Sequence, residues 1–169
     1  ALFVTVGKTV NEGEVLVEYV AESASENTVA ASVSASGQRA DLKQLQRRQE
    51  LLLDASRTEA VAKRHARGQR TARENLADLI DEGTFVEYGG FGVAAQRGRR
   101  SEEDLIANTP TDGLITGLAK INSEMFGEEN TNCAVVAYDY TVLAGTQGFI
   151  NHRKKDRIFE VAKRNMTPV

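Results

Sequence analysis

At 169 residues, 41% of them apolar and 27% charged, the chain has the make-up of a folded, water-soluble protein and not of a disordered or membrane-embedded one. A net charge of −3 supplies no global basic field for nucleic acid, and every apolar run falls well short of the roughly 20 residues that cross a bilayer. The single cysteine, Cys133, excludes an internal disulfide, and its apolar surroundings (Cys133-Ala134-Val135-Val136-Ala137) read as a buried structural thiol.

No group of Cys and His has metal-ligand spacing, so no metal is expected. Ala1 is not followed by a basic segment and cleavage motif, which leaves a cytoplasmic protein as the expectation. The chain opens without Met inside a strand-like segment and stops at Thr167-Pro168-Val169, where a further strand is expected. It therefore reads as a piece of a longer protein.

Residues 1–20 read as two short strands, Leu2–Val6 and Val15–Val20, joined through Gly7 and Gly13, with β-branched residues suited to a pleated surface. Two such strands are not stable alone in water and call for partners. Residues 21–40 shift to Ala, Ser, Glu and Asn and read as a flexible linker. From residue 41 the pattern turns helical, over Asp41–Arg57 and then from Thr58, a possible N-cap, to about Gly68. Thr71-Ala72-Arg73-Glu74 has capping-box spacing. Behind it Ala72, Leu76, Leu79 and Ile80 recur at helical intervals, and Gly83 is placed to end the helix.

Thr84–Tyr88 is strand-like and closes on Gly89-Gly90. Residues 91–110 read as a long surface loop with one helical turn. Leu114–Ile121 and Cys133–Tyr140 then read as strands paired antiparallel across a turn region. Thr141–Gly148 is a small-residue bend feeding a helix over Phe149–Arg164, with Ile150, Ile158, Val161 and Ala162 as its buried face.

The bend Leu143–Gly148 is where chemistry is most legible. A strand ending in small residues and opening a helix gathers backbone N–H groups that can meet an anion or a polarised carbonyl. Gly145 and Gly148 let a ligand approach without an intervening side chain. A tight connection needing Gly for steric reasons alone remains open, and no Lys-Ser/Thr pair follows to make it a P-loop. His152, Arg153, Lys154, Lys155 and Arg157 make the helix start basic, either as a solvated face or as an offset to phosphate. A second basic stretch, Lys63–Arg73, lacks interleaved aromatics, and Glu74, Asp78, Asp81 and Glu82 follow closely enough to pair with it; no nucleic-acid partner is expected.

Three ordered motifs carry a resemblance. Arg64-His65-Ala66-Arg67-Gly68-Gln69-Arg70-Thr71-Ala72-Arg73-Glu74, followed by Leu79-Ile80-Asp81-Glu82-Gly83-Thr84-Phe85-Val86-Glu87, resembles the opening of the carboxyltransferase domain of biotin-dependent acyl-CoA carboxylases. Thr111-Asp112-Gly113-Leu114-Ile115-Thr116-Gly117 is similar to a strand of that family, and Ala137–Gly148 is similar to its Asp-Phe-Thr-Val-x-Gly-Gly-Ser turn. Leu2–Glu18 resembles the second half of a biotinyl carrier domain, a pattern that lipoyl carriers share.

The resemblance implies an α/β chain: residues 1–20 as the C-terminal half of a biotinyl carrier domain, 21–40 as linker, and 41–169 as the N-terminal part of a crotonase-like carboxyltransferase built of ββα units. It implies transfer of a carboxyl group from carboxybiotin to the α-carbon of an acyl-CoA at a subunit interface, with backbone N–H groups stabilising the enolate oxygen. It also implies a homo-oligomeric parent, a biotin carboxylase domain that uses ATP elsewhere, and biotin attached outside these residues. Ala144, Gly145, Thr146 and Gly148 match the family's turn near the CoA site, with Ala144 for a Gly and Thr146 for a Ser. Lys154 matches a family Lys and is a candidate phosphate contact. No residue is nominated as catalytic. The Gly-Gly-Ala-Arg-like segment of the family is absent, so the segment alone is expected to be inactive. A non-catalytic scaffold or interaction module reusing the start of the fold is the alternative.

Overall fold

Three short β-branched stretches pair into one antiparallel sheet of order β1-β2-β3 in a computed structural model that describes residues 2–18 and 39–169. The strands are β1 (Val86–Tyr88), β2 (Leu114–Lys120) and β3 (Asn132–Tyr138). Register runs from Leu114 opposite Tyr138 to Lys120 opposite Asn132, with Val86 opposite Leu118 at the other edge. The chain divides into two compact units, Ala1–Gln38 and Arg39–Val169, and the sheet belongs to the second.

Side-chain alternation along β2 decides what covers each face. Ile115 and Ala119 join Val135 of β3 against Leu76 of helix α3 (Ala72–Leu79), with Ala72, Ile80 and Phe85 packed around them. Ala134 faces the opposite way with Leu118 and Val136, and there meets Ile158 and Ala162 of helix α6 (Phe149–Arg164). The result is helix, sheet, helix. Both α3 and α6 form because their apolar residues recur at helical spacing. Helix α3 also opens on the expected capping box, in which the Thr71 hydroxyl accepts from the Glu74 amide at 3.1 Å and the Glu74 carboxylate accepts from the Thr71 amide at 2.7 Å.

The remaining helices are α1 (Ala40–Glu50), α2 (Thr58–His65), α4 (Glu102–Asn108) and α5 (Ser123–Phe126). The helix expected over Asp41–Arg57 is broken after Glu50 by a short 3₁₀ turn, Asp54–Ser56. Its polar side chains compete for the backbone: Ser56 Oγ donates to the Glu50 carbonyl at 2.8 Å, and Asp54 is pulled across to accept from the Thr71 hydroxyl. Thr58 is the first residue of α2 and not its cap. Helix α3 stops at Leu79, before Gly83, which turns the chain at φ +73°. Within the expected loop 91–110, α4 runs seven residues, capped by Ser101.

In residues 2–18 the two expected strands are reduced to one antiparallel bridge, Leu2 with Val17, supported by the Phe3 amide donating to the Leu16 carbonyl at 3.1 Å. Leu2, Val6 and Val15 face water, so this segment lacks the buried face that would zip a longer ladder. Residues 19 and 20 of the second expected strand, and 21–38 of the expected linker, lie outside the described residues.

Gly117 shows how closely the sheet is built. A Cβ there would overlap the Phe85 ring and the Val86 carbonyl. Gly117→Ala is therefore expected to push β1 off β2 and cost about 1–3 kcal/mol of overpacking strain, read as a lowered urea unfolding midpoint; an unchanged midpoint would contradict this packing.

Candidate functional site

Because β2 and β3 run antiparallel, the start of one and the end of the other lie side by side, and the connections at that end converge on the first turn of α6. Both connections are backbone-strained. Thr111 (φ +59°), Asp112 (+49°) and Gly113 (+70°) precede β2, and Leu143 (+46°), Ala144 (+54°) and Gly145 (+74°) follow β3. Residues other than Gly rarely occupy this region, and such strain concentrates where surroundings over-determine it, often at functional sites.

Asp112 explains the first run. Its Oδ2 accepts from the Asn151 amide in the first turn of α6 at 2.8 Å, and its own carbonyl accepts from the Asn151 side-chain amide at 3.3 Å. A carboxylate thus sits where the helix dipole favours negative charge. Gly148 is glycine because a Cβ there would lie 2.7 Å from Asp112 Oδ1. Lys154, one turn further along α6, reaches back: its ammonium donates to the carbonyl of Thr111 at 3.0 Å and to that of Leu114. Thr111, Asp112 and Asn151 are at most 2% exposed. Thr111 Oγ1, Asp112 Oδ1 and Asn151 Oδ1 have no hydrogen-bond partner among the described residues, a concentration of buried polarity that most cores avoid.

The five residues singled out from the sequence are brought together around this helix start, though not in the roles expected of all of them. The Gly145 amide donates to the Val142 carbonyl at 2.9 Å and the Thr146 amide to the Leu143 carbonyl at 3.1 Å. These two donors are used inside the turn and do not await an anion. Ala144 and Thr146 are exposed, with the Thr146 hydroxyl folded onto the Leu143 carbonyl at 2.8 Å. Lys154, expected at a phosphate, is 8% exposed and turned inward, because the strained loop offers its ammonium two carbonyls. His152, Arg153 and Arg157 stay exposed.

Sequence reasoning missed Asp112 and Asn151, although the Asp112-Gly113 pair lies within the Thr111–Gly117 motif. It also missed Arg57 and Asp139, whose ion pair is 2.8 Å long with both side chains 9% exposed. Asp139 Oδ1 accepts from the Thr141 amide at 2.9 Å, fixing the start of the bend. In the basic stretch, Arg70 pairs with Asp78 and His65 with Glu74, whereas Asp81 accepts from the amides of Asn122 and Ser123 instead. Cys133 is half-buried, and burial pushes its thiol up.

A cavity of about 230 Å³ opens beside the site, lined by Tyr88, Gly89, Thr116, Ile150, Arg153, Lys154 and Arg157. Gly89 (φ +68°) lies directly on the Lys154 stem, where a Cβ would be 3.0 Å from its Cε. A larger cleft of about 870 Å³ between α1 and Gly89–Gly92 contains none of the five residues. The smaller one has Ile150, Arg153, Lys154 and Arg157 of α6 in its wall.

Burial lowers the Lys154 ammonium from 10.5 to about 8, partly offset by the carboxylates of Glu87 and Asp112. Between those values the unfolded chain holds the extra proton, so the contribution of Lys154 to stability rises with pH across that window. Comparing wild type with Lys154→Met by urea unfolding at pH 7 and pH 10 is expected to show wild type gaining about 2–3 kcal/mol relative to the variant. A difference that does not change with pH would mean the ammonium titrates as if exposed.

With this geometry in place, comparison with known proteins gives a consistent result. The family described as the carboxyl transferase domain matches residues 63–169. The propionyl-CoA carboxylase beta chain of Saccharopolyspora erythraea is 32% identical over 129 residues, which is 76% of this chain and 22% of that protein. The biotin-dependent acetyl-/propionyl-coenzyme A carboxylase beta5 subunit of Mycobacterium tuberculosis is 29% identical over 88% of this chain and 25% of its own length. Among solved structures, a single-chain, multi-domain long-chain acyl-CoA carboxylase is 57% identical, with a TM-score of 0.76, over 79% of this chain and 13% of that one. Transcarboxylase 12S is 29% identical, with a TM-score of 0.58, over 78% and 24%. The chain spans about a quarter or less of each of these proteins. On the strength of the match over residues 63–169, the chain belongs to the carboxyl transferase domain family, and its sheet and flanking helices are part of that family's crotonase-like α/β fold.

Proposed function

We propose that this chain forms part of a biotin-dependent acyl-CoA carboxylase that transfers a carboxyl group from carboxybiotin to the α-carbon of an acyl-CoA. The likeness to the single-chain long-chain acyl-CoA carboxylase carries this reading, and makes long-chain thioesters the first substrates to test. In this reading, residues 41–169 are the N-terminal part of the carboxyltransferase. Residues 21–40 are a linker, and 1–20 are the end of a biotinyl carrier domain. The Gly7 and Gly13 turns and the Leu2–Val17 bridge support the last assignment.

Biotin supplies the carboxyl group when bound. It would be attached outside these residues, since neither Met125 nor Met166 neighbours a Lys. ATP would act at a separate biotin carboxylase domain, and the parent would be a homo-oligomer in the cytoplasm. No helix among the described residues is long and apolar enough to cross a membrane.

Within the unit, the residues at hand bind and orient. The outer face of the turn Ala144–Gly148 is the proposed acyl-CoA-facing surface: Ala144 and Thr146 are exposed, and Gly145 and Gly148 are half-buried beside them, with Tyr140 and Asp112 against the positions a Cβ would take. Its contour does the recognising, since two of its amides are already bonded internally. Arg153, exposed at the rim of the smaller cavity, supplies the positive charge a CoA phosphate requires, with Arg157 beside it held in an exposed pair with Glu160 at 2.8 Å. Lys154 also lines that cavity, but its ammonium is engaged by the carbonyls of the underlying loop.

Calorimetric titration of CoA into the chain is expected to show binding that weakens with added salt and weakens at least threefold more in Arg153→Ala. The same preparation is expected not to decarboxylate malonyl-CoA or methylmalonyl-CoA. Absence of CoA binding would favour a scaffold role, and decarboxylation would show that the segment holds a complete active site.

A further inference from the structure

Helix α2 touches the bend after β3 twice, from a part of the chain that begins before the family match at residue 63. At its start Arg57 donates through Nη1 to Asp139 Oδ2 at 2.8 Å. One end of the bend therefore rests on a buried charge pair. At its last turn Arg64 stacks over the Tyr140 ring at 5.1 Å from the centroid, and that ring lies against Gly145, 3.4 Å from where a Cβ would stand.

Asp139 is the node. Oδ1 accepts from the amide and the hydroxyl of Thr141, the carbonyl accepts from the Val142 amide at 3.1 Å, and the amide donates to the Gly113 carbonyl at 2.8 Å. One strained run is thus tied to it directly through Gly113, and the other at one remove through Val142, whose carbonyl accepts from Gly145. A carboxylate whose side chain is only 9% exposed carries a large desolvation cost, and a paired cation that also hydrogen-bonds to it offsets that cost and holds its oxygens in place. Among the described residues, Arg57 is the cation within ion-pair distance.

We propose that Arg57 is a positioning residue for the acyl-CoA-facing turn: paired with Asp139, it sets the conformation of Thr141–Thr146, so that the residue from which α2 starts is a working part of the site and not a leader to the domain. What the turn faces rests on the acyl-CoA reading above; the control of its conformation does not.

The test uses the full chain and two independent readouts, amide hydrogen–deuterium exchange and CoA titration. In Arg57→Gln, the amides of Thr141, Val142, Gly145 and Thr146 are expected to exchange at least tenfold faster, while those of β2, Ile115 to Ala119, change less than twofold. CoA affinity is expected to fall at least fivefold. Arg57→Lys, which keeps the charge, is expected to recover most of both. Arg70→Gln, which breaks the exposed pair with Asp78, is the control and leaves both unchanged.

If Arg57→Gln does not fold, Asp139→Asn, which is isosteric and leaves no buried negative charge, is read in the same way. Unchanged exchange in the turn, or acceleration spread equally through β2, overturns the proposal. Selective loosening of the turn in a chain that never bound CoA retains the positioning role and removes the acyl-CoA reading instead.

Discussion

The carboxylate of Asp112 lies at the mouth of α6, and much of this end of the molecule can be derived from the need to keep it there. To reach the Asn151 amide the chain before β2 takes three consecutive left-handed residues, two of them with side chains that disfavour it. That strain needs a counterweight, and Lys154 provides one by tying the carbonyls on either side of the loop from within the same helix. The arrangement closes on itself: α6 is started by a loop that α6 in turn holds. A carboxylate at a helix N-terminus contributes up to about 2 kcal/mol in favourable geometry, comparable to the cost of one strained residue, so the capping interaction and the loop strain are of the same order.

The same arrangement changes what the helix mouth can do. A helix N-terminus with free amides is a ready anion site, but here the Asp112 side chain occupies the mouth, and the bend before the helix folds two of its amides onto its own carbonyls. In the proposed reading, recognition by this end of the sheet falls to shape and to the exposed charges one turn further along. Glycine is retained at 145 and 148 for different reasons: the first takes a positive φ beside Tyr140, the second makes room for a carboxylate. Ala144 occupies a left-handed position at φ +54°, which gives a physical reason for glycine at the corresponding place in the resembling turn.

Local pattern revealed the elements, and tertiary pairing hid the site. The long last helix follows from periodicity, because one of its faces is buried; the strands follow instead from short apolar runs bounded by turn residues, since the sheet is covered on both faces. The Thr71–Glu74 box was readable because both partners lie within one turn. Asp112 with Asn151, 39 residues apart, and Arg57 with Asp139, 82 apart, have no such local signature. The basic run after Gly148 looked like one surface, yet only the side chain at 154 meets the loop carbonyls and turns inward; periodicity marks the face, but nothing in it says a lysine there would be matched. The apolar first residues failed as strands for the opposite reason: their pattern was right, but a ladder needs a partner to bury against.

The most direct test of this account is Gly148→Ala, followed by exchange of the Asn151 amide and by the thermal midpoint. If Asp112 occupies the helix mouth as described, the added methyl group displaces the carboxylate: the Asn151 amide loses at least tenfold in protection and the midpoint drops by several degrees, with amides of α3 unaffected below that temperature. An Asn151 amide as protected as in wild type, in a variant that melts at the same temperature, would show that the carboxylate does not start the helix, and the dependence traced from it through Lys154 to the turn would not hold.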